Sequence, residues 1–404
     1  MNYRNNQFYI ESISASKLVK KYGSPTYCYS LNKLKSNISS FKKNFKNLNP
    51  LICFSVKSNS NIFILREIRK NGFGADVVSI GELMIALKAD INPKKIVFSG
   101  VGKSNDELAY AINKNILLIN AESESEIKSI EKIAKSKRKK VDIGIRLNPD
   151  IDAKTLKNIS TGKRENKFGL TEKIFLKVIK EFKNSPNINI KCLSVHIGSQ
   201  ITSHVPYQRT LNVLKKIINK SGHKFEYIDL GGGMGIDYDK KNKKLNYRKY
   251  NLSIQNFIKN FGSKIIFEPG RSIIGDSAIL LTKIIYLKKT NRINFVILDA
   301  AMNDLMRPAL YGSKHKIIPI IKNKSINKFK HEFVGPVCET TDKFLATKKF
   351  QSLREGDILA ICDVGAYGFS LSSNYNLRVK PAEILVAKSA TKILRKRQKL
   401  NQII

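Results

Sequence analysis

The sequence is poor in three things, and each shortage closes off a class of function. Cysteines number five (Cys28, Cys53, Cys192, Cys338 and Cys362), with no C-x-x-C pair among them. An odd, scattered set suits free thiols in a reducing compartment and argues against a disulfide framework or a zinc site, so no metal is expected. Apolar runs are short. None approaches the ~18 residues of a membrane span, and Met1 to Lys21 lacks the basic-then-apolar layout of a secretory signal. A cytoplasmic protein with no membrane partner is expected. Acidic residues are scarce, 32 Asp and Glu against 73 Lys and Arg, which leaves a formal charge of +41.

A field of that size attracts polyanions. The lysines, however, are spread over every predicted helix, as in 132–140 and 240–249, and no stripe interleaves them with aromatics. Lys, Asn and Ile are abundant together, the mark of a compositional bias, and nucleic acid is not expected as a partner. With 404 residues, 42% of them hydrophobic, the chain has the material for a large core and two domains.

What is present is a beat. From Leu51 onward, apolar runs of strand length occur at 51–56, 74–78, 96–99, 116–119, 141–147, 188–195, 227–230 and 264–267. Amphipathic stretches lie between them, at 62–70, 80–88, 124–134, 171–182 and 207–218. Strand alternating with helix predicts parallel strands with crossover helices. About eight such units make a (β/α)8 TIM barrel, with a doubly wound sheet as the alternative, because pattern counting gains or loses a strand easily. After Arg271 the beat stops. Strand-like segments recur without helices at 278–286, 294–298, 316–320, 331–334, 357–362 and 383–387. They predict an all-β second domain of antiparallel strands, joined by an N-terminal strand near Tyr27. The expected architecture is an α/β barrel over residues 35–274 and a C-terminal β domain over 275–404, completed by a strand from 1–34.

A barrel places its chemistry at the C-terminal ends of its strands. There the sequence has Lys57, Asp76, Arg146 with Asn148, His196, three glycines and Glu268, on or after the first, second, fifth, sixth, seventh and eighth runs. A lone lysine at a strand end is ordinarily solvated; its company changes the reading. Gly231-Gly232-Gly233 lets backbone N–H groups converge on an anion, although a tight βα turn would use the same residues. The spacing is not that of a dinucleotide fingerprint. His196, with Ser199 behind it, offers an imidazole that can stack on a flat ring. Glu268, Gly270 and Arg271 add a carboxylate and a guanidinium. Together they suggest pyridoxal 5′-phosphate, with Lys57 forming the Schiff base and made nucleophilic by burial and cationic neighbours. Glu268 would keep the ring nitrogen protonated, so that the ring accepts electrons.

Motifs that run nearly end to end carry a resemblance: Val56-Lys57-Ser58-Asn59, Gly74-Ala75-Asp76-Val77, His196-Ile197-Gly198-Ser199-Gln200, Gly231-Gly232-Gly233 and Glu268-Pro269-Gly270-Arg271. Met306-Arg307-Pro308-Ala309-Leu310-Tyr311, Gly335-Pro336-Val337-Cys338-Glu339 and Asp363-Val364-Gly365-Ala366-Tyr367 follow in the C-terminal part. The chain resembles the fold-type III pyridoxal-phosphate decarboxylases of the alanine-racemase-like group, most closely the diaminopimelate decarboxylase family. It departs from the family at Phe54-Ser55-Val56 and Ser58, where Tyr-Ala and Ala-Asn are usual around the lysine.

The resemblance implies decarboxylation of meso-2,6-diaminopimelate to L-lysine and CO2, the last step of bacterial lysine biosynthesis. It implies a homodimer in which Cys338 and Glu339 enter the other subunit's site, with Cys338 as the acid that protonates the substrate carbon. Arg271, Arg307 and Tyr311 would clamp the distal carboxylate, Glu339 would receive the distal ammonium, and Tyr367 would pack near cofactor and substrate. A related decarboxylase acting on ornithine, arginine or carboxynorspermidine is the alternative, and a non-catalytic homologue that kept the cofactor is another. Glu268 speaks against a racemase, whose chemistry favours an arginine at the ring nitrogen.

Overall fold

The structure, a computed structural model, describes residues 1–153, 155, 161–238, 244–327 and 329–404. It divides into two compact units. One holds Ile38–Ile236 and continues to Ser272; the other holds Met1–Asn37, Asp237 with Tyr238, and Ile273–Ile404.

The first unit is a closed barrel of eight strands: β1 (Leu51–Ser55), β2 (Gly74–Val77), β3 (Ile96–Phe98), β4 (Leu118–Ala121), β5 (Val141–Arg146), β6 (Ile188–Ser194), β7 (Tyr227–Asp229) and β8 (Lys264–Phe267). Every neighbouring pair is parallel, and β8 closes on β1 through Ile266 opposite Leu51. The strands are buried on both faces, so they read as short apolar runs rather than as alternating ones. The crossover helices are α1 (Ile62–Lys70), α2 (Ile80–Lys88), α3 (Asn105–Asn113), α4 (Glu124–Ser136), α5 (Glu172–Phe182), α6 (Val205–Ser221) and α7 (Tyr247–Ile258).

Five of these helices start on a residue chosen for the purpose. Asn61, Ser79, Ser104, Ser123 and Asn246 each accept a backbone N–H from the first turn, and Glu107 returns the bond to Ser104 in a capping box. Between helices and barrel wall, Phe45 packs 4.5 Å from Phe267 and Tyr207 stacks 4.3 Å from Tyr250, centroid to centroid. Such rings bury large apolar area and hold the helices to the strands.

The second unit is built on a nine-stranded sheet whose backbone is the long strand Ala278–Lys289. It pairs antiparallel with Thr26–Ser30, Ile293–Leu298 and Ile358–Cys362. Two other pairs correct the expectation of a wholly antiparallel domain: Thr26–Ser30 runs parallel to Ala382–Ala387, and Ile293–Leu298 parallel to Lys330–Val334. Both partners come from distant parts of the chain, so no hairpin constrains their direction. Alternate residues Ile279 and Leu281 join Phe8, Ile10, Leu18, Cys28, Ile384 and Val386 in one core. The N-terminus also holds an unforeseen small sheet, Asn2–Arg4, Gln7–Ile10 and Ile13–Ser14, followed by the helix Ala15–Tyr22 capped by Ser14. Among the described residues no helix is long and apolar enough to cross a membrane.

Candidate active site

The barrel interior is layered, because side chains two residues apart on a strand face the same way. Cys53, Val97, Leu118, Cys192 and Ile266 form one fully buried apolar cluster. Two residues further along the same segments stand Ser55, Ser99, Asn120, Ser194 and Glu268. An apolar floor therefore carries a polar layer, and the floor keeps water from reaching that layer from below. Asn120 Nδ2 ties the layer together, donating to Asp229 Oδ2 at 2.9 Å, Ser99 Oγ at 3.2 Å and Ser194 Oγ at 3.3 Å. Its neighbour on β5 has to be Gly144, where a Cβ would sit 2.0 Å from Asn120 Oδ1.

Beyond β1 the chain makes a single 3-10 turn, Val56–Ser58, which lifts Lys57 off the strand line. Lys57 Nζ donates to Asp76 Oδ2 at 2.8 Å, and Ser55 Oγ donates to the same oxygen at 2.5 Å. The cause is register: β1 and β2 are neighbours, with Ser55 opposite Asp76. Asp76 is wholly buried while the Lys57 side chain is 32% exposed, so a fixed carboxylate holds an amine that a ligand can reach. The group that holds the amine is thus an acid on the neighbouring strand, and Asp76, expected among the cofactor residues, touches the lysine.

After β7 the glycines leave no room for side chains. A Cβ on Gly232 would lie 2.1 Å from the Glu268 carbonyl, and one on Gly233, whose φ is +85°, would lie 2.3 Å from the Gly198 carbonyl. Gly270 is similarly close to Ser58, at 2.9 Å. Arg271 Nη2 donates to Ser199 Oγ at 3.1 Å, joining two of the residues expected at the cofactor. Gly232 N donates to His196 Nδ1 at 3.1 Å, so the ring proton lies on Nε2. Burial, with Arg146 and Lys57 nearby, pushes the His196 pKa well below its usual range, and the ring stays neutral. Glu268 is pushed the other way, well above the usual carboxylate range, by burial and by the Asp229 and Asp76 carboxylates. A side-chain-free turn, a serine–arginine pair, a neutral flat ring, a buried acid and a reachable lysine fit pyridoxal 5′-phosphate.

Arg146 was expected at a strand end, but its supporting partners were not foreseen. Arg146 Nη1 pairs with Glu122 Oε1 at 2.8 Å, and Arg146 Nη2 donates to the His196 carbonyl at 3.3 Å. Glu122 also accepts from Gly100 N and Gly169 N, each at 3.1 Å, so one acid fastens the loops after β3 and β5. Lys103, buried, pairs with Glu126 at 2.8 Å. The signal was available: Glu122 directly follows β4, the position where a barrel displays function.

The second unit carries the remaining expected residues. Arg307 opens the short helix Arg307–Tyr311 and is buried; its Nη1 donates to His315 Nε2 at 2.7 Å, while His315 Nδ1 donates to the Cys362 carbonyl at 2.8 Å. The Arg307 guanidinium also lies 4.7 Å from the centre of the Tyr238 ring. Tyr311 and Tyr367 are half-buried, and Tyr367 has φ +56°, a conformation that non-glycine residues rarely adopt. Cys338 and Glu339 are exposed. Their loop is pinned from behind by Asp342, which accepts from Met302 N and Val337 N, both at 2.8 Å. Tyr375 Oη donates to Glu339 Oε1.

Comparison with known proteins agrees with this geometry. The family described as "Pyridoxal-dependent decarboxylase, pyridoxal binding domain" matches residues 31–275. The diaminopimelate decarboxylase of Aquifex aeolicus is 38% identical over 407 residues, covering 100% of this chain and 96% of the relative. That of Helicobacter pylori strain J99 is 42% identical, covering 96% of each. A crystal structure of the Helicobacter pylori diaminopimelate decarboxylase complexed with L-lysine superposes with a TM-score of 0.92 at 41% identity, over 96% of this chain and 98% of that one. The chain belongs to the pyridoxal-dependent decarboxylases and, within them, to the diaminopimelate decarboxylases.

Proposed function

We propose that this chain decarboxylates meso-2,6-diaminopimelate to L-lysine and carbon dioxide with pyridoxal 5′-phosphate. The observation that carries the reading is the pairing of half-buried, reachable Lys57 with buried Asp76, in the same barrel mouth as the glycine turn and Glu268. When bound, the cofactor supplies an electron sink for the pair left on the substrate carbon. Lys57 holds the cofactor, and Asp76 orients its amine. Glu268 keeps a proton at the ring nitrogen. His196 is held neutral by Gly232 N and offers its flat face, so it adds no competing charge. Ser199 and the Gly231–Gly233 turn take the phosphate, with Gly270 keeping the approach clear and Arg271 holding Ser199 in place.

The distal end of the substrate is a zwitterion. Arg271, Arg307 and Tyr311 receive its carboxylate and Glu339 its ammonium, with Tyr367 beside them. An amine-only substrate such as ornithine offers the guanidiniums no carboxylate, a loss of about 1–3 kcal/mol for each one desolvated. Cys338 delivers the proton that replaces the departing carboxylate. The chain acts as a homodimer in which Cys338 and Glu339 serve the other subunit's site; the exposure of both side chains in the single chain supports this. Five free cysteines suit a cytoplasmic enzyme.

The test is direct. The purified chain with pyridoxal phosphate is expected to show a cofactor absorbance band that Lys57→Ala removes, and to release lysine and carbon dioxide from meso-diaminopimelate. A band with turnover only of ornithine, arginine or carboxynorspermidine would overturn the substrate assignment.

A further inference from the structure

Asp229 and Glu268 are two acids buried side by side at the ends of adjacent strands, and the cofactor chemistry has so far used only one of them. Glu268 N donates to the Gly231 carbonyl at 2.9 Å and Leu230 N to the Ile266 carbonyl at 3.0 Å, which fixes the two strand ends against each other. The carboxyl groups come close enough to hydrogen-bond, beneath the glycine turn and above the apolar floor. Two neighbouring carboxylates out of contact with water cannot both ionise at neutral pH, so the pair retains a proton.

The hydrogen bonds say which partner keeps it. Asp229 accepts three: Gly231 N on Oδ1 at 2.9 Å, then Asn120 Nδ2 at 2.9 Å and Ser194 Oγ at 3.3 Å on Oδ2. Glu268 accepts Ser99 Oγ at 3.3 Å. Donors stabilise the anion they point at, so Asp229 is the carboxylate and Glu268 the carboxylic acid. We infer that Asp229 is a positioning residue that keeps a proton on Glu268, so that Glu268 meets the cofactor as an acid and gives that proton to the ring nitrogen. With the cofactor bound, the Glu268 O–H bond would break as the N–H bond formed, and Glu268 would be left as a carboxylate facing the ring cation. Asp229 is an anion before and after, so the net charge of the group is conserved and no solvent proton has to reach the buried pair. The inference rests on the assignment of Glu268 to the ring nitrogen made above.

Other ionisable groups face the pair. Asp76 on β2 and Lys57 after β1 act on Glu268 in opposite senses; the Cys53 and Cys192 thiols and the Tyr250 hydroxyl feel the same acids but stay neutral, since burial pushes all three up. Asp229 itself is pushed up by burial, while the donors from Gly231 and Asn120 pull it back down.

Infrared spectroscopy of the full-length chain reads the proton itself. Without cofactor the wild-type chain is expected to show a buried carboxylic-acid carbonyl band at neutral pH that is absent from Glu268→Gln. In Asp229→Asn, which keeps the shape and removes the anion, the pH at which the band is lost should fall by at least one unit, a tenfold drop in proton affinity. An unchanged midpoint, or a wild-type band that survives in Glu268→Gln, would overturn the inference. Should Asp229→Asn fail to fold, the wild-type and Glu268→Gln spectra decide alone, since a wild-type chain with no such band contradicts it. Adding pyridoxal phosphate should bleach the wild-type band. A dyad that titrates as expected but is not bleached would support the pair and overturn the ring-nitrogen assignment instead.

Discussion

The barrel mouth and the Cys338–Glu339 loop solve opposite problems. In the mouth, each reactive group is held by another part of the same barrel: Lys57 by Asp76, His196 by Gly232, Arg146 by Glu122, Asp229 by Asn120. Buried polar groups must be paired, and a site built from strand ends finds its partners on neighbouring strands. The loop instead fixes its backbone from behind, through Asp342, and leaves the Cys338 thiol in solvent. Groups positioned but not enclosed suit the proposed role in another subunit's site. On that proposal the two halves of the chemistry depend on different things, the first on the barrel and the second on assembly.

Substitutions sharpen that contrast in order of effect. Lys57→Ala should lower turnover on the order of 10⁴- to 10⁶-fold, the scale seen when a nucleophile is removed, and abolish the cofactor band in the same sample. Cys338→Ala should cost roughly 10²- to 10⁴-fold in turnover, as expected for loss of a general acid, while the band stays intact. A band lost with Cys338 would mean that the loop also builds the cofactor site and would break the comparison. Arg307→Ala should reduce kcat/KM for meso-diaminopimelate by ~10- to 100-fold through a lost carboxylate partner, with cofactor affinity unchanged in a titration. Tyr375→Phe should change kcat/KM by roughly two- to five-fold, because its bond to Glu339 is exposed and water competes for it.

The sequence made the barrel legible because both of its signals are local. Strand-length apolar runs and capped amphipathic helices repeat from Leu51 to Phe267, and α1 and α2 begin and end where the periodicity placed them, at Ile62–Lys70 and Ile80–Lys88. Helix α3 was missed although Ser104 and Glu107 spell a capping box, because its apolar face is short. The parallel pairs of the second unit were out of reach, since strand direction there is set by partners more than 30 residues away. At the N-terminus the turn between the first two strands was written as Asn5-Asn6, both with positive φ, and flanking strands of three and four residues gave too little pattern to read around it.

The site was legible where chemistry falls on unusual residues, as at Lys57 and the glycine triplet. It was not legible where a common residue acquires its role from burial. Asp229 sits within a run that reads simply as a strand. Only the closed barrel shows that its side chain lies beside Glu268, under donors from β4, β6 and the glycine turn.

The most direct test of the division of labour is a mixed dimer. Lys57→Ala and Cys338→Ala chains, co-expressed with different tags and purified as the heterodimer, each lack one half of the chemistry. If Cys338 serves the partner's lysine, one of the two sites is intact and the heterodimer should show about half the wild-type activity, as two-fold symmetry requires. A heterodimer as inactive as its parents would place Cys338 with the lysine of its own chain and contradict the account.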